Sequence, residues 1–429
     1  MRLHLTPMLL CALLASSPAL SDVVSPYGYP FADPYEATVI GTPDEYRADL
    51  PEEIPIQLRE ILALRGREAP EIFWYNDTLG YSLAAQPGPA PLAFILPGTG
   101  AGFDSSKSVI LQRALYQAGL HVVSLPSPLH PNFIVAASTS ARPGLLTADA
   151  EDVYRVMALI RGHLEDEIAI SGYDLVGYSL GATQAAFVAR LNDERRSFGF
   201  ERVLLINPPV SLYRSARVLD RLFEEHVPSI AAFNTLFNHL MQEFSEFYSP
   251  VEPMLLSDDL VYEIYKRRPP PDSTLEALIG AAFRLASMNL LFTSDVTAHV
   301  GVLVAPDRRL GITDSLTPYF KASMLLSFED YAHRVLFPYY RENAPDVTFD
   351  ELVARDGLRA IGGYLRDTPK IGLMHNADDI LLGAGDLAYL EDVFGDRARI
   401  YPTGGHCGNL AYKDNIAYLI DFFTERGRR

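Results

Sequence analysis

The sequence predicts an α/β protein, its mostly parallel sheet covered by helices on both faces and interrupted by a large helical insertion. Two observations carry this. Over 71–212, short apolar runs alternate with amphipathic helical stretches, the rhythm of parallel strands joined by crossover helices. The rhythm stops at Asn207-Pro208-Pro209, gives way to helical periodicity over 213–367, and resumes over 368–429. A strand pattern that breaks off and later returns argues for one discontinuous core with an inserted cap. Composition agrees: 429 residues, 48% hydrophobic and 21% charged, suit a globular chain with a large core.

Taken in order, residues 1–21 read as an address rather than as structure. Arg2 precedes an unbroken apolar stretch at 8–15, and Ala19-Leu20-Ser21 supplies the small residues a signal peptidase inspects. The stretch is too short to span a bilayer, and no later stretch reads as a membrane span. The expected product is exported, periplasmic or secreted, with cleavage near Ser21. Cys11 would leave with the leader, so Cys407 has no partner for an intrachain disulfide.

Residues 22–70 form an N-terminal extension, rich in Pro and Tyr at first, with a helical stretch over 56–64. Strands follow at 72–75 and 81–85 around the turn signal Asn76-Asp77. The first part of the core then gives strand 92–96, helix 108–119 and strand 121–125. A helix over 148–164 places Val153, Met157 and Ile160 on one face. Strand 174–176, a helix from Leu180 and strand 203–206 complete this part. Within the insertion, Ser273-x-x-Glu276 and Thr348-x-x-Glu351 read as capping boxes. Phe233, Leu236, Phe237, Leu240, Met241, Phe244, Phe247 and Tyr248 recur three and four residues apart and draw one apolar stripe. That stripe either packs inside the cap or forms an acyl-binding wall. Strands 371–374 and 399–401 and a helix over 410–424 close the chain.

The chemistry centres on Gly177-Tyr178-Ser179-Leu180-Gly181, placed between a strand and a helix. A sharp strand-to-helix turn pushes a serine hydroxyl out of the sheet, and flanking glycines are required where no side chain fits. A serine hydroxyl needs a base to take its proton and an acid to orient that base. His406 sits in Gly404-Gly405-His406-Cys407-Gly408, where glycines let an imidazole stand at a loop tip. Asp378 and Asp379 follow strand 371–374 at the carboxyl end of the sheet. Either can be the orienting acid. The loop Pro97-Gly98-Thr99-Gly100 after strand 92–96 can aim the Thr99 N–H beside that of Leu180, forming an oxyanion hole. Gly is missing where a dinucleotide fingerprint or a P-loop needs it, at Phe103 and Ser106.

With its nucleophile motif, an acid after a late strand and His406 last, the chain resembles the α/β-hydrolase superfamily over 70–212 and 368–429. The segments Asn376-Ala377-Asp378-Asp379 and Gly404-Gly405-His406-Cys407-Gly408 resemble the esterase branch related to YheT. The resemblance implies an α/β-hydrolase fold and a serine hydrolase acting on a carboxylic ester or thioester of acyl or lipid-like character. In the enzymes the chain resembles, the orienting acid is followed by aliphatic residues, which implies Asp379 (Asp379-Ile380-Leu381), with Asp378 as the alternative. Pro97 stands where many members have His. A non-catalytic binder of an apolar ligand and an acyltransferase are the alternatives on the same fold.

Other partners are disfavoured. A formal charge of -18 repels phosphate backbones, so nucleic acid is excluded. No histidine pair has metal-ligand spacing, and neither metal nor cofactor is expected. His375 reads as a packed histidine. Cys407 reads as a small packing residue.

Overall fold

The computed structural model describes residues 27–227, 229–235, 238, 262, 265–266 and 269–425. The leader expected at 1–21 lies outside them, and so do Leu236, Phe237, Leu240, Met241, Phe244, Phe247 and Tyr248 of the expected stripe. Among the described residues the apolar runs become eight strands: β1 (Ile56–Ile61), β2 (Leu79–Ala84), β3 (Ala90–Leu96), β4 (His121–Ser124), β5 (Ile170–Tyr178), β6 (Arg202–Ile206), β7 (Ile371–Asn376) and β8 (Ala398–Tyr401). They form one sheet in the order β1-β2-β4-β3-β5-β6-β7-β8. Only the β1–β2 and β2–β4 pairs are antiparallel.

Alternation along each strand explains why both faces are covered. Leu92, Phe94 and Leu96 of β3 face one layer, shared with α4 (Leu146–Leu164) and α5 (Leu180–Arg195). Ala93 and Ile95 face the other, where α2 (Ser106–Gln117) lies beside the C-terminal helix Lys413–Thr424. A strand buried on both sides reads as an unbroken apolar run. The sheet therefore has the architecture that the sequence predicts.

Between β6 and β7 the described part of the insertion is helical. It opens with α6 (Leu212–His226) and continues in the long α7 (Asp272–Ala298). The two cross closely, for a Cβ added at Gly280 would lie 2.3 Å from the Phe223 nitrogen. Buried Arg284 of α7 reaches Asp220 of α6 at 3.0 Å. The insertion is tied to the core where Tyr331 Oη donates to the Pro143 carbonyl at 2.6 Å and the Leu146 N–H donates to Asp356.

Several expectations are corrected. Residues 56–61 are not helical but form the edge strand β1, paired from Ile56↔Ala84 to Ile61↔Leu79. Leu58 points to solvent, 73% exposed, so the apolar spacing there does not trace a buried helix face. Residues 72–75 are not a strand but belong to the 3₁₀ turn Glu71–Asn76. Neighbours Ile72 and Phe73 are both buried, and Trp74 and Tyr75 both exposed, a pairing that strand alternation forbids. The Ser273 box does not form: α7 starts at Asp272 after Pro271, without a side-chain cap. Thr348 and Glu351 do form one, at Phe349–Arg355. α7 is also long and apolar enough by composition to cross a membrane, with a mean hydropathy of 1.4, although no stretch was expected to be. In the fold it packs on α6, on α1 (Pro34–Ile40) and on α3 (Pro131–Ala136), and 61% of its most apolar window is buried.

Candidate functional site

The turn from β5 into α5 is built by glycine. A Cβ at Gly177 would lie 2.1 Å from the Gly181 carbonyl oxygen, and one at Gly181 would lie 2.0 Å from that of Leu96. Only bare backbone fits either position. Ser179 between them has φ +55° and ψ -128°, outside the regions open to an L-residue at low cost. This strained turn lifts its Oγ from the carboxyl end of the sheet. Leu180, the first residue of α5, has an N–H with no intrahelical acceptor.

Ser179 Oγ lies 2.8 Å from His406 Nε2. The other ring nitrogen, Nδ1, lies 2.9 Å from Asp379 Oδ2 and 3.1 Å from Oδ1. The structure thus brings Ser179, His406 and Asp379 into one hydrogen-bonded chain. Asp379 has a side chain 1% exposed, whereas that of His406 is 15% exposed. Burial alone would raise the Asp379 carboxyl, but the adjacent His406 ring, through charge and hydrogen bond, together with His375 and the Leu381 N–H, holds the group below its ordinary value.

Asp378 points elsewhere. It accepts the N–H groups of Gly404 and Gly405 at 3.1 and 3.0 Å and so pins the loop that carries His406. Burial raises its carboxyl, against the lowering effect of those two N–H donors. Asn376 helps from below: its Nδ2 donates to the Gly405 carbonyl at 2.8 Å and to Asn409 Oδ1 at 2.9 Å.

Thr99 occupies the second position of a turn closed by the Ala101 N–H on the Gly98 carbonyl at 3.2 Å. Gly100 follows with φ +68°, as a type II turn requires. The turn lies against the serine, since a Cβ at Gly98 would come within 3.2 Å of Ser179 Cβ. Above it runs α7, with Ala286 Cβ 3.0 Å from a Cβ placed on Gly100. The insertion therefore reaches the edge of the site.

The sequence reading missed Asn207. It follows β6 with φ +48°, and its Nδ2 donates 2.8 Å to Asp379 Oδ2. The Leu381 N–H donates to Oδ1 at 3.0 Å. The available signal was Asn in front of two prolines at a strand end, since Asn tolerates the left-handed region. His375 is packed, with Nε2 3.3 Å from the Pro208 carbonyl. Burial pushes the Cys407 thiol far above its ordinary value, which leaves no thiolate beside the serine. Among the described residues no cluster of His, Cys, Asp and Glu could hold a metal.

No protein-family model matches the chain, and no curated protein matches it. Among solved structures it is similar to a thermostable esterase from Pseudomonas putida ECU1011, at 13% identity over 89% of this chain and 84% of that one, with a TM-score of 0.43. It is likewise similar to brefeldin A esterase, a bacterial homologue of human hormone sensitive lipase, at 13% identity over 88% and 79%, TM-score 0.42. A hyperthermophilic esterase from the archaeon Pyrobaculum calidifontis matches at 14% identity over 88% and 84%, TM-score 0.39.

Proposed function

We propose that the protein is an exported serine hydrolase that cleaves a carboxylic ester or thioester through an acyl-enzyme on Ser179. The observation that carries this reading is the Ser179–His406–Asp379 chain on a strained strand-to-helix turn. Ser179 Oγ attacks the carbonyl carbon as its proton passes to His406 Nε2. Negative charge then develops on the former carbonyl oxygen, where the N–H groups of Leu180 and Thr99 receive it. Collapse of the tetrahedral intermediate expels the alcohol or thiol, which takes the proton from His406. Water activated by the same imidazole then releases the acid and restores the serine. Asp379, kept ionised, holds Nδ1–H and stabilises the imidazolium that forms at each step.

The substrate is of acyl or lipid-like character, with medium or longer chains preferred over acetyl. The apolar periodicity over 233–248 in the sequence is what supports this reading. Each buried methylene contributes about 0.8 kcal/mol, so activity should climb with chain length. The leader pattern at 1–21 supports the periplasm or the medium as the place of action.

A fluorophosphonate probe and a series of p-nitrophenyl esters test the reading. Labelling at Ser179 and higher kcat/KM for octanoyl than for acetyl esters are expected. An unlabelled Ser179 would overturn the hydrolase, and equal rates along the series would overturn the acyl wall.

A further inference from the structure

We propose that the N-terminal segment 27–48 is a working part of the site, with Thr38 as a positioning residue for His406. This rests on the hydrolase reading above. The loop that carries His406 is held from two sides. Asp378 and Asn376 grip it from the β7 end, as described. The opposite grip comes from α1 and the residues just after it, which lie more than 350 positions earlier in the chain. The His406 backbone N–H donates to Thr38 Oγ1 at 2.9 Å, across a sequence separation of 368. The same hydroxyl donates to the Pro34 carbonyl at 2.6 Å, so it is aimed by its own helix. Thr42 Oγ1 donates to the Gly408 carbonyl at 2.9 Å. Beyond the loop, Arg47 pairs with Tyr412 and the Ala48 N–H donates to the Ala411 carbonyl at 3.0 Å.

The glycines around His406 acquire a second purpose. A Cβ at Gly405 would lie 2.2 Å from the Pro34 carbonyl oxygen, and one at Gly408 would lie 1.9 Å from that of Ala37. Backbone meets backbone here, and any side chain would drive α1 away. The Thr38 bond and the two forbidden Cβ positions place α1 directly on the loop, and the Thr42 bond extends the contact just past the helix. An imidazole that must stay within hydrogen-bond reach of both Ser179 and Asp379 tolerates little drift of its backbone, since a shift of about 1 Å can cost ~100-fold in rate.

α1 also touches the insertion. Tyr265 Oη donates to Glu36 at 2.6 Å, and α1 packs on α7. The segment therefore stands between the insertion and the base, bonded to each.

The test compares wild type with Thr38→Val and Thr38→Ser, using a p-nitrophenyl ester, fluorophosphonate labelling and a thermal melt. Valine keeps the shape and removes the hydroxyl; serine keeps the hydroxyl. Expected is a tenfold or greater fall in kcat for T38V with KM within twofold, and kcat within threefold of wild type for T38S. Should valine prevent folding, Thr38→Ala takes its place, with the same contrast to serine expected. Equal kcat for T38S and the hydroxyl-free variant would overturn the role of Thr38, whatever happens to the melting temperature. A fall in KM-controlled binding with kcat unchanged would overturn it too. Failure of the hydrolase reading looks different: the wild type itself would neither label at Ser179 nor turn over ester.

Discussion

At the scale of single residues, the site depends on groups that act together. On the hydrolase reading Ser179 and His406 act as one proton-transfer unit, so Ser179→Ala and His406→Ala should each lower kcat by about 1,000-fold or more. The double variant should be little worse than either, as steady-state kinetics would show. Asp379→Asn should cost roughly 100-fold or more, and Asp378→Asn less. The reverse ranking would mean that Asp378 orients the base. Asn207 yields a separate expectation. Its amide fixes one oxygen of Asp379, so Asn207→Ala should cost about tenfold in kcat. Asn207→Asp should cost more, because a second carboxylate against Asp379 opposes its ionisation. Equal activity of both variants and wild type would remove Asn207 from the machinery.

At the scale of elements, the buried acid Asp356 joins the insertion to the core, where a second buried acid, Asp149, stands near it on α4. Asp356 accepts the first N–H of α4, and Asp149 accepts the Gly144 N–H at 2.9 Å. Burial pushes Asp356 up to about 7 and Asp149 well above its ordinary value. A carboxyl whose folded value is raised binds its proton more tightly in the folded chain. Its contribution is then fully present below the unfolded value and is lost as pH rises through about 7. Asp356→Asn keeps an acceptor for Leu146 and removes the titration. Wild type should therefore lose stability relative to the variant between about pH 5 and about pH 8, by at most ~3 kcal/mol. Parallel denaturant titrations at both pH values check this, and an unchanged difference would refute it.

The same scale explains what the sequence could and could not disclose. The turn at Ser179 is legible because it is local: two glycines, one serine, a strand before and a helix after. The β3 strand is legible because burial on both faces leaves an unbroken apolar run, whereas β5 is read only over 174–176 because its first half, 170–173, is partly exposed and mixed in polarity. The strand β1 is not, because an edge strand held by backbone pairing carries no inward-facing pattern, and Leu58 faces water. Asn207 and Thr38 are invisible for another reason. Each acts on a residue more than 150 positions away, and nothing in a local motif records such a partner.

For the whole molecule, the insertion, the N-terminal segment and the sheet share their contacts rather than standing apart. Tyr331 to Pro143, Asp356 to Leu146 and Arg142 to the Ala298 carbonyl cross from insertion to core. Asp220 is the buried partner of Arg284 inside the insertion, and burial raises it to about 6. Removing it as Asp220→Ala leaves buried Arg284 with the exposed Glu224, at 3.2 Å, as its remaining carboxylate, at a cost of roughly 1–3 kcal/mol. Because the parts are interlocked, that loss should appear as one shifted thermal transition followed by both near-UV circular dichroism and esterase activity. Two separated transitions would show that the insertion melts alone.

The bond between Thr38 and His406 has a consequence for how the protein comes into being. Its partners are separated by 368 residues, almost the length of the chain. A polypeptide that emerges from its N-terminus can build β1 to β6 early, yet the base and its brace meet only when the last strand and loop arrive. Contacts of such long range form slowly. On the hydrolase reading, a product of synthesis that stops before His406 lacks the base and is expected to be silent toward esters.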